Sequence, residues 1–216
     1  MLEKMNEFFN SRVDGYEEHQ LNEIEGAQEF YPYTASLLPV HENAQVLDLG
    51  CGTGLELDFY FQHNPTAKVT GIDFAESMIK VLKEKFPDKD ITVISGSYFD
   101  IPFGEECYDA VVSVESLHHF TRERKSSLYK KVFQALKKGG YLILTDYFAE
   151  SEEHERLYQR ELQRLKSEQG ICDDEFYHYD TPLTKPHEMQ ILNEAGFSSV
   201  EIIAEWNATA AIKAIK

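Results

Sequence analysis

Acidic and imidazole side chains follow one short apolar run of this sequence. The segment VSVESLHHF, residues 112–120, places Glu115 and then the adjacent pair His118 and His119 after small and β-branched residues. A carboxylate or an imidazole at such a position can take a proton from a substrate, and an imidazole can also bind a metal ion. His178 lies in a second polar and aromatic segment, FYHYD, residues 176–180. The chemistry depends on how the fold places these two segments.

A metal site is one interpretation of these histidines. Neighbouring side chains diverge by about 180° in a strand and by about 100° on a helix, so His118 and His119 are not expected to bind one ion together. Either histidine could combine with Asp146 and His178, but no short-range spacing such as H-x-x-x-H supports that set. We therefore expect no metal. His119 is expected to be fixed by packing and hydrogen bonds, and His118 to be exposed, as a candidate base.

A glycine-rich turn is the most specific signal in the chain. The segment VLDLGCGTG, residues 46–54, runs from an apolar strand into Gly50, Gly52 and Gly54, and a helical segment follows. Glycines allow the backbone to approach a ligand closely, and a helix N-terminus offers free N–H groups. Asp73 ends the next apolar run, about 20 residues downstream, where a Rossmann-like unit binds ribose hydroxyls. NAD is the competing ligand, but the spacing is G-x-G-x-G, and Asp48 lies inside the strand before it.

Alternating elements position these residues. Strands are predicted at 44–50, 67–73, 90–97, 108–116 and 141–148, with helices at 54–63, 77–86 and 124–140 between them. A charged helix, residues 151–170, has a narrow apolar stripe of Leu157, Leu162 and Leu165. A helix with Thr184 as N-cap and Gly196 just past its end then precedes a hairpin around Asn207. These patterns predict an α/β fold: a Rossmann-like three-layer sandwich, whose seven-stranded, mainly parallel sheet has a C-terminal antiparallel hairpin and a helical cap.

The expected organisation is one domain over residues 1–216. Residues 1–40 would form an N-terminal helical cap, and residues 150–180 an inserted cap helix and loop that influences the choice of substrate.

The motifs VLDLGCGTG, GID, YDAVVSVESLHHF and LKKGGYLILTDYF together resemble the class I S-adenosylmethionine-dependent methyltransferases, over roughly residues 40–150. The resemblance implies S-adenosylmethionine as cofactor, with Asp73 on both ribose hydroxyls and Phe74 against adenine. The family pattern GDAxxLPF reads GSYFDIPF here, so Ser97, the Tyr98 backbone or Asp100 would replace the acid that contacts adenine. The full set of implied cofactor-binding residues is Tyr16, Asp48, Gly50, Cys51, Gly52, Gly54, Asp73, Phe74, Met78, Ser97, Tyr98 and Val114.

Methyl transfer is an in-line displacement, and a general base is needed only if the acceptor must lose a proton. The candidate catalytic residues at the ends of the fourth and fifth strands are Glu115, His118, His119, Asp146 and Tyr147, because ligands bind beyond the carboxyl ends of the strands in open α/β sheets. His178 is a further candidate, on the loop that the cap would bring back to the rim. Family members commonly have an apolar or small residue at the position of Glu115. That carboxylate could orient the acceptor or pair with a cationic group.

Composition limits the class of partner. The 216 residues carry a net charge of −17, to which residues 1–45 contribute −7 and residues 150–180 contribute −6. No basic face for nucleic acid and no apolar run for a membrane is evident, and the few cysteines suit the cytosol. We expect a cytoplasmic enzyme that methylates a small molecule, with its oligomeric state open. Carboxy-S-adenosylmethionine synthesis and cofactor binding without turnover are the alternatives.

Overall fold

The apolar runs of the sequence form one sheet. A computed structural model describes residues 1–172 and 175–216. Its strands are β1 Gln45–Leu49, β2 Lys68–Asp73, β3 Asp90–Ser95, β4 Tyr108–Val114, β5 Leu136–Tyr147, β6 Ser199–Trp206 and β7 Thr209–Ile215. The sheet order is β3-β2-β1-β4-β5-β7-β6, and of these seven strands β7 alone runs opposite to the other six. The predicted sheet and C-terminal hairpin are confirmed.

Eight α-helices surround this sheet in the described part of the chain. They are α1 Met5–Ser11, α2 Tyr16–Glu23, α3 Ala27–Ser36, α4 Leu55–His63, α5 Glu76–Lys85, α6 Arg122–Ala135, α7 Glu152–Gln169 and α8 Lys185–Ala195. Alternate residues of β1 enter two cores: Leu47 packs with α6 and α8, and Val46 packs with α3 and α4. The helices therefore form two layers with the sheet between them. None of the described helices combines the length and the apolar character that crossing a bilayer requires.

The strand order places the site. The chain passes from β1 outward to β2 and β3, and then returns to β4 on the other side of β1. In open α/β sheets this reversal leaves a crevice beyond the carboxyl ends of the strands that meet there. The glycine turn after β1 and the ESLHH segment after β4 both lie at this crevice.

A buried ion pair joins the two helices on one face of the sheet. Lys125 Nζ of α6 donates to Glu188 Oε2 of α8 at 2.7 Å, and the Tyr129 hydroxyl donates to the other oxygen of the same carboxylate. All three side chains are buried. The carboxylate is therefore compensated in charge and in hydrogen bonding, which a buried ion requires.

Two predicted details are wrong. The helix predicted at 124–140 ends at Ala135, and the segment LKKGG begins β5, because Leu136 pairs with Tyr108 of β4. A Cβ on Gly140 would lie 2.9–3.2 Å from three backbone oxygens, so the strand is crowded there. On α7, Leu162 is buried but Leu157 is 48% exposed. Leu157 therefore does not belong to the predicted apolar stripe. Helix α8 has the predicted ends, with Thr184 Oγ1 accepting from His187 N.

The N-terminal helices and the loop after α7 meet over the crevice. Met5 N donates to Phe176 O at 3.0 Å, and His178 N donates to Glu3 O at 2.9 Å. On the other side, Asn10 of α1 accepts from the backbone N–H and the hydroxyl of Ser77 on α5. Helix α1 therefore bridges α5 and residues 176–178, and covers the ends of the central strands.

Candidate active site

The glycine turn after β1 is held by the next strand. Gly50, Gly52 and Gly54 all have positive φ angles, of 78°, 47° and 74°. A Cβ on Gly50 would lie 2.1 Å from Ser116 Oγ, so only glycine fits against the segment after β4. A Cβ on Gly52 would meet no atom closer than 4.0 Å. The turn is thus close-packed on one side and open toward the crevice on the other.

Asp73 fixes the open side of the turn. Its Oδ2 accepts from Gly52 N at 2.9 Å, and its Oδ1 accepts from Ala75 N at 2.8 Å. Burial raises the pKa of Asp73 above its ordinary value, although these backbone N–H groups oppose the shift. The carboxylate holds the turn and also lines the crevice.

Ten of the predicted site residues line one cavity with about 490 Å³ of empty space. The cofactor cavity, as we call it, is lined by the predicted Tyr16, Gly50, Gly52, Asp73, Phe74, Met78, Tyr98, Val114, Glu115 and His119, and by Met5, Phe9 and Ser116. Met5, Phe9 and Ser116 were not among the predicted residues. The N-terminal helical cap was predicted, but Phe9, one of the aromatic pair in NEFFN, was not singled out as a residue that contacts the site.

Two other predicted cofactor residues lie beneath the turn. Asp48 is buried beside Glu56, and Asp48 Oδ2 and Glu56 Oε1 have no hydrogen-bond partner among the described residues. Burial and repulsion from Glu56 raise the pKa of Asp48 well above its ordinary value, so one proton is shared within the pair. Cys51 is buried against Gly71, and burial raises the pKa of its thiol, as suits a residue of packing.

Gly54 and Ser97 also do not line the cofactor cavity. A Cβ on Gly54 would approach Phe86, Leu57 and Leu82, so this glycine faces the core. Ser97 Oγ accepts from Phe99 N at 3.2 Å within its own turn. The next residue, Tyr98, lies on the cavity wall, where its hydroxyl is 3.2 Å from Ser116 Oγ.

Glu115 occupies an unusual backbone position. Strand β4 ends at Val114, whereas the predicted strand 108–116 included Glu115. Glu115 instead has a φ of 48°, outside the range of a strand. Its N–H donates to Thr145 O at 2.9 Å, and its Oε1 accepts from the Thr209 hydroxyl at 3.2 Å. Burial raises the pKa of Glu115 to about 7, although the charge of His118 opposes the shift. A carboxyl group with this pKa is suited to accept or release a proton near neutral pH.

The histidine pair differs from the prediction in two ways. His118 was expected to be exposed but is buried, because its Nδ1 lies 2.5 Å from Asp146 Oδ1. The two rings were expected to diverge, but their centroids are 4.0 Å apart in a tight 3₁₀ turn, and both rings face Asp180. Burial opposes the charged form of both, yet Asp146 and Glu115 raise the pKa of His118 to about 9. Burial and the charge of His118 lower the pKa of His119 to about 4.

Two further cavities adjoin the cofactor cavity at Glu115. The acceptor cavities, as we call them, have about 1360 Å³ and 680 Å³ of empty space, and Glu115, His118 and Asp180 line both. His178 lines the larger one and stacks on Phe8, with centroids 3.5 Å apart. Tyr147 lines the smaller one, where its hydroxyl lies 3.0 Å from the Tyr158 hydroxyl. The predicted catalytic residues therefore divide among three connected spaces, and Glu115 alone of them lines all three.

Comparison with known proteins supports the resemblance to methyltransferases. Residues 46–140 match the family model described as a methyltransferase domain. A relative, the erythromycin 3''-O-methyltransferase of Saccharopolyspora erythraea, is 31% identical over 126 residues, which are 56% of this chain and 40% of the relative. Another, the tRNA (carboxymethyluridine(34)-5-O)-methyltransferase of Arabidopsis thaliana, is 30% identical over 57% of this chain and 29% of its own length. The chain thus spans less than half the length of either relative.

Two solved structures share the fold. The phosphoethanolamine N-methyltransferase 2 of Haemonchus contortus, in complex with S-adenosyl-L-methionine, has a TM-score of 0.67 at 19% identity, over 89% of this chain and 43% of that one. An S-adenosylmethionine-dependent methyltransferase of Thermotoga maritima, described as a possible histamine N-methyltransferase, also has a TM-score of 0.67, at 21% identity over 98% and 99% of the two chains. The fold and the match over residues 46–140 support a class I S-adenosylmethionine-dependent methyltransferase domain. The match to a methyltransferase domain supports S-adenosylmethionine, the cofactor that the sequence motifs imply.

The cofactor cavity suits this molecule. The open side of Gly52 lets a ligand approach the backbone, and the Asp73 carboxylate can accept from a ribose diol there. Phe74 and Met78 supply an apolar wall for the adenine ring, and Tyr16 and Phe9 cover the side toward α1. Among the described residues that line this cavity there is no lysine or arginine, as suits a cofactor whose sulfonium and ammonium groups are positive.

Proposed function

We propose that this chain methylates a small molecule by in-line displacement, and that the acceptor binds in the acceptor cavities beside Glu115. The observation that carries the proposal is that Glu115 lines the cofactor cavity and both acceptor cavities. When bound, S-adenosylmethionine supplies the activated methyl group and, in its thioether sulfur, the leaving group. The contribution of the protein is to place the acceptor atom in line and to hold its proton.

The residues around Glu115 fit this task. The Thr209 hydroxyl holds the carboxylate, and Thr145 O of β5 holds the backbone of the same residue, so that the carboxylate faces both bound molecules from one position. An acceptor that must lose a proton could deliver it to Glu115, whose pKa is about 7. Helix α1 and residues 176–178 cover the crevice, which limits the access of water to the reacting groups. Removing water strengthens the electrostatic interactions inside a site.

Charge supports a small acceptor over a nucleic acid. Among the described residues that line the three cavities, Arg12 is the one Lys or Arg side chain, and it is paired with Glu3. The smaller acceptor cavity has three acids on its wall besides Glu115, namely Glu23, Glu25 and Asp180. Phosphate-rich partners need a basic surface, so these walls disfavour them. A cytosolic location is part of the proposal and agrees with the three free cysteines.

The test compares Glu115→Gln with Glu106→Gln. Glu106 is an exposed glutamate that also has a positive φ, of 51°, so it controls for the backbone conformation. Formation of S-adenosylhomocysteine would be measured with a panel of small hydroxylated and amine acceptors and with bulk tRNA. Cofactor affinity would be measured by calorimetry. We expect Glu115→Gln to lower turnover by about 10²–10⁴-fold, as loss of a general base does, with little change in cofactor affinity. Turnover with tRNA alone, or equal loss of turnover and cofactor affinity, would contradict the proposal.

A further inference from the structure

We propose that His118, His119 and Asp180 form a binding site for one divalent transition-metal ion of the Zn²⁺ or Fe²⁺ type. Each of the three side chains offers a donor atom, and these atoms lie within 4.8 Å of one another. His119 Nδ1 is 3.0 Å from Asp180 Oδ1, and His118 Nε2 is 3.7 Å from the same oxygen. Two imidazoles and one carboxylate are a set that catalytic zinc and non-haem iron sites use, whereas Mg²⁺ and Ca²⁺ prefer oxygen ligands alone.

Asp146 orients His118 for this role. Its Oδ1 lies 2.5 Å from His118 Nδ1, and its backbone partners, Leu117 N and Tyr147 N, donate to the two oxygens of the same carboxylate. Because an ionised carboxylate only accepts, the Nδ1–H of His118 donates to it, and Nε2 is left on the side of Asp180. A carboxylate behind a histidine in this way fixes the ring that binds a metal. The ion would replace the proton on Nε2, as metal binding to histidine requires.

His119 provides the second, independent observation. Its Nδ1 is buried and lies 3.0 Å from Asp180 Oδ1, but it makes no well-aligned hydrogen bond among the described residues. Buried polar atoms without a partner are uncommon in folded proteins. A metal ion between the rings and Asp180 would satisfy this nitrogen.

The required movement falls mainly on one residue. Ligands held at about 2.0–2.2 Å from one ion in a tetrahedral site lie roughly 3.3–3.6 Å apart, so a pair as far apart as the 4.8 Å limit of this cluster must approach by roughly 1.2–1.5 Å. Asp180 is half-exposed, on the loop that follows α7, and its side chain can turn. His118 and His119 are buried in the 3₁₀ turn and would stay in place.

The site opens toward the acceptor. His118 and Asp180 line both acceptor cavities together with Glu115, so the free positions of the ion would face the space beside that carboxylate. Three protein ligands and an open position are the arrangement of catalytic rather than structural metal sites. If the proposed function also holds, on which this step rests, the ion would select acceptors that offer an oxygen atom. Hydroxylated small molecules would then be preferred over simple amines.

The test is a titration of the chelator-treated full chain with Co²⁺ alone and with Zn²⁺ alone. Visible absorption of Co²⁺ reports nitrogen and oxygen ligands of low coordination number, and calorimetry gives stoichiometry and affinity. We expect one ion per chain, with affinity lowered at least about 10–100-fold in Asp180→Asn and in His119→Ala. His19→Ala is the matched control, because His19 lines the larger acceptor cavity but does not belong to the cluster, and it should bind as the unchanged chain does.

Three outcomes would overturn the proposal: no binding at millimolar metal, binding unaffected by Asp180→Asn, or binding lost in His19→Ala. Asp180 does not line the cofactor cavity, so the thermal shift that S-adenosylmethionine produces in Asp180→Asn should equal that of the unchanged chain. An equal shift with weakened metal binding supports the site and shows that the variant is folded. Failure of S-adenosylmethionine to bind the unchanged chain would refute the proposed function, and the metal titration would still decide the site.

Discussion

Replacement of Asp73 by asparagine tests the cofactor cavity most directly. The carboxylate accepts from Gly52 N and from Ala75 N with different oxygens, and it faces the cavity. Asparagine has the same shape but only one acceptor oxygen, so one of the two backbone N–H groups would face its NH₂ group. The substitution therefore changes both the resting turn and its affinity for a ribose diol.

Each effect has an expected magnitude. A buried N–H without an acceptor costs about 1–3 kcal/mol, which would appear as a lower free energy of unfolding in the absence of ligand. A hydrogen bond to a charged acceptor contributes about 1.5–3 kcal/mol, and at about 1.4 kcal/mol per factor of ten its loss weakens cofactor binding roughly 10- to 150-fold. Asp73→Ala should exceed both values, because it removes both acceptors.

Calorimetry with S-adenosylmethionine and with S-adenosylhomocysteine would measure the affinity, and urea unfolding would measure the stability. Asp90→Asn is the control, since Asp90 begins the adjacent strand, is exposed, and forms only a 3.9 Å ion pair with Lys68. We expect little change in that variant, as for most surface pairs. If Asp73→Asn folds normally and binds the cofactor within about twofold of the unchanged chain, the ribose role of Asp73 is wrong.

Three further substitutions test the fold around the site. Gly50→Ala should destabilise the chain by more than the roughly 1–2 kcal/mol that a non-glycine residue in the left-handed conformation costs. It should also cost more than Gly52→Ala, because the methyl group at position 50 would overlap Ser116 Oγ. Adding Ser116→Gly to Gly50→Ala should recover part of the loss in urea unfolding, and equal effects at the two glycines would contradict the overlap. Lys125→Met should lower the free energy of unfolding by about 3–5 kcal/mol without changing cofactor affinity, since its partner Glu188 is left as a buried charge. Adding Glu188→Leu should recover most of the loss. An unchanged unfolding midpoint in Lys125→Met alone would contradict the pair. Asp48→Asn should flatten the dependence of stability on pH. The raised pKa of Asp48 makes the folded chain bind more protons than the unfolded chain above about pH 4, so stability falls as pH rises toward the folded pKa; identical slopes in unfolding measurements at acidic and neutral pH would count against the shared proton.

Local pattern was enough to predict the sheet and the glycine turn. Apolar runs with intervening helices leave few arrangements of a parallel sheet, and G-x-G-x-G after β1 determines where the backbone can approach a ligand. Asp73 was predictable for the same reason, since it follows the strand next to the turn. These features depend on neighbours within about thirty residues of the chain, which is the length of a βαβ unit.

The acceptor side was less predictable because its contacts are distant in sequence. Glu115 and the histidines were singled out by type, but the convergence of His118 and His119 depends on Asp146 and on Asp180 from the loop after α7. The divergence rule assumed a strand or a helix, and the chain forms a 3₁₀ turn there. Likewise, LKKGG has helix-forming lysines, but its pairing with the start of β4 makes it a strand.

The charges around Glu115 couple the two sides of the site. His118 lowers the pKa of Glu115, and Asp146 and Asp180 raise it, so any ligand that changes these charges also changes the protonation of Glu115. A cation that replaces the proton on His118 keeps or increases the local positive charge. It therefore favours the ionised form of Glu115, which is the form that can accept a proton from the methyl acceptor. A neutral acceptor bound without such a cation would bury Glu115 further and favour its protonated form. His118 and Glu115 therefore influence each other's protonation, and a substitution at His118 should be interpreted through its effect on the carboxylate.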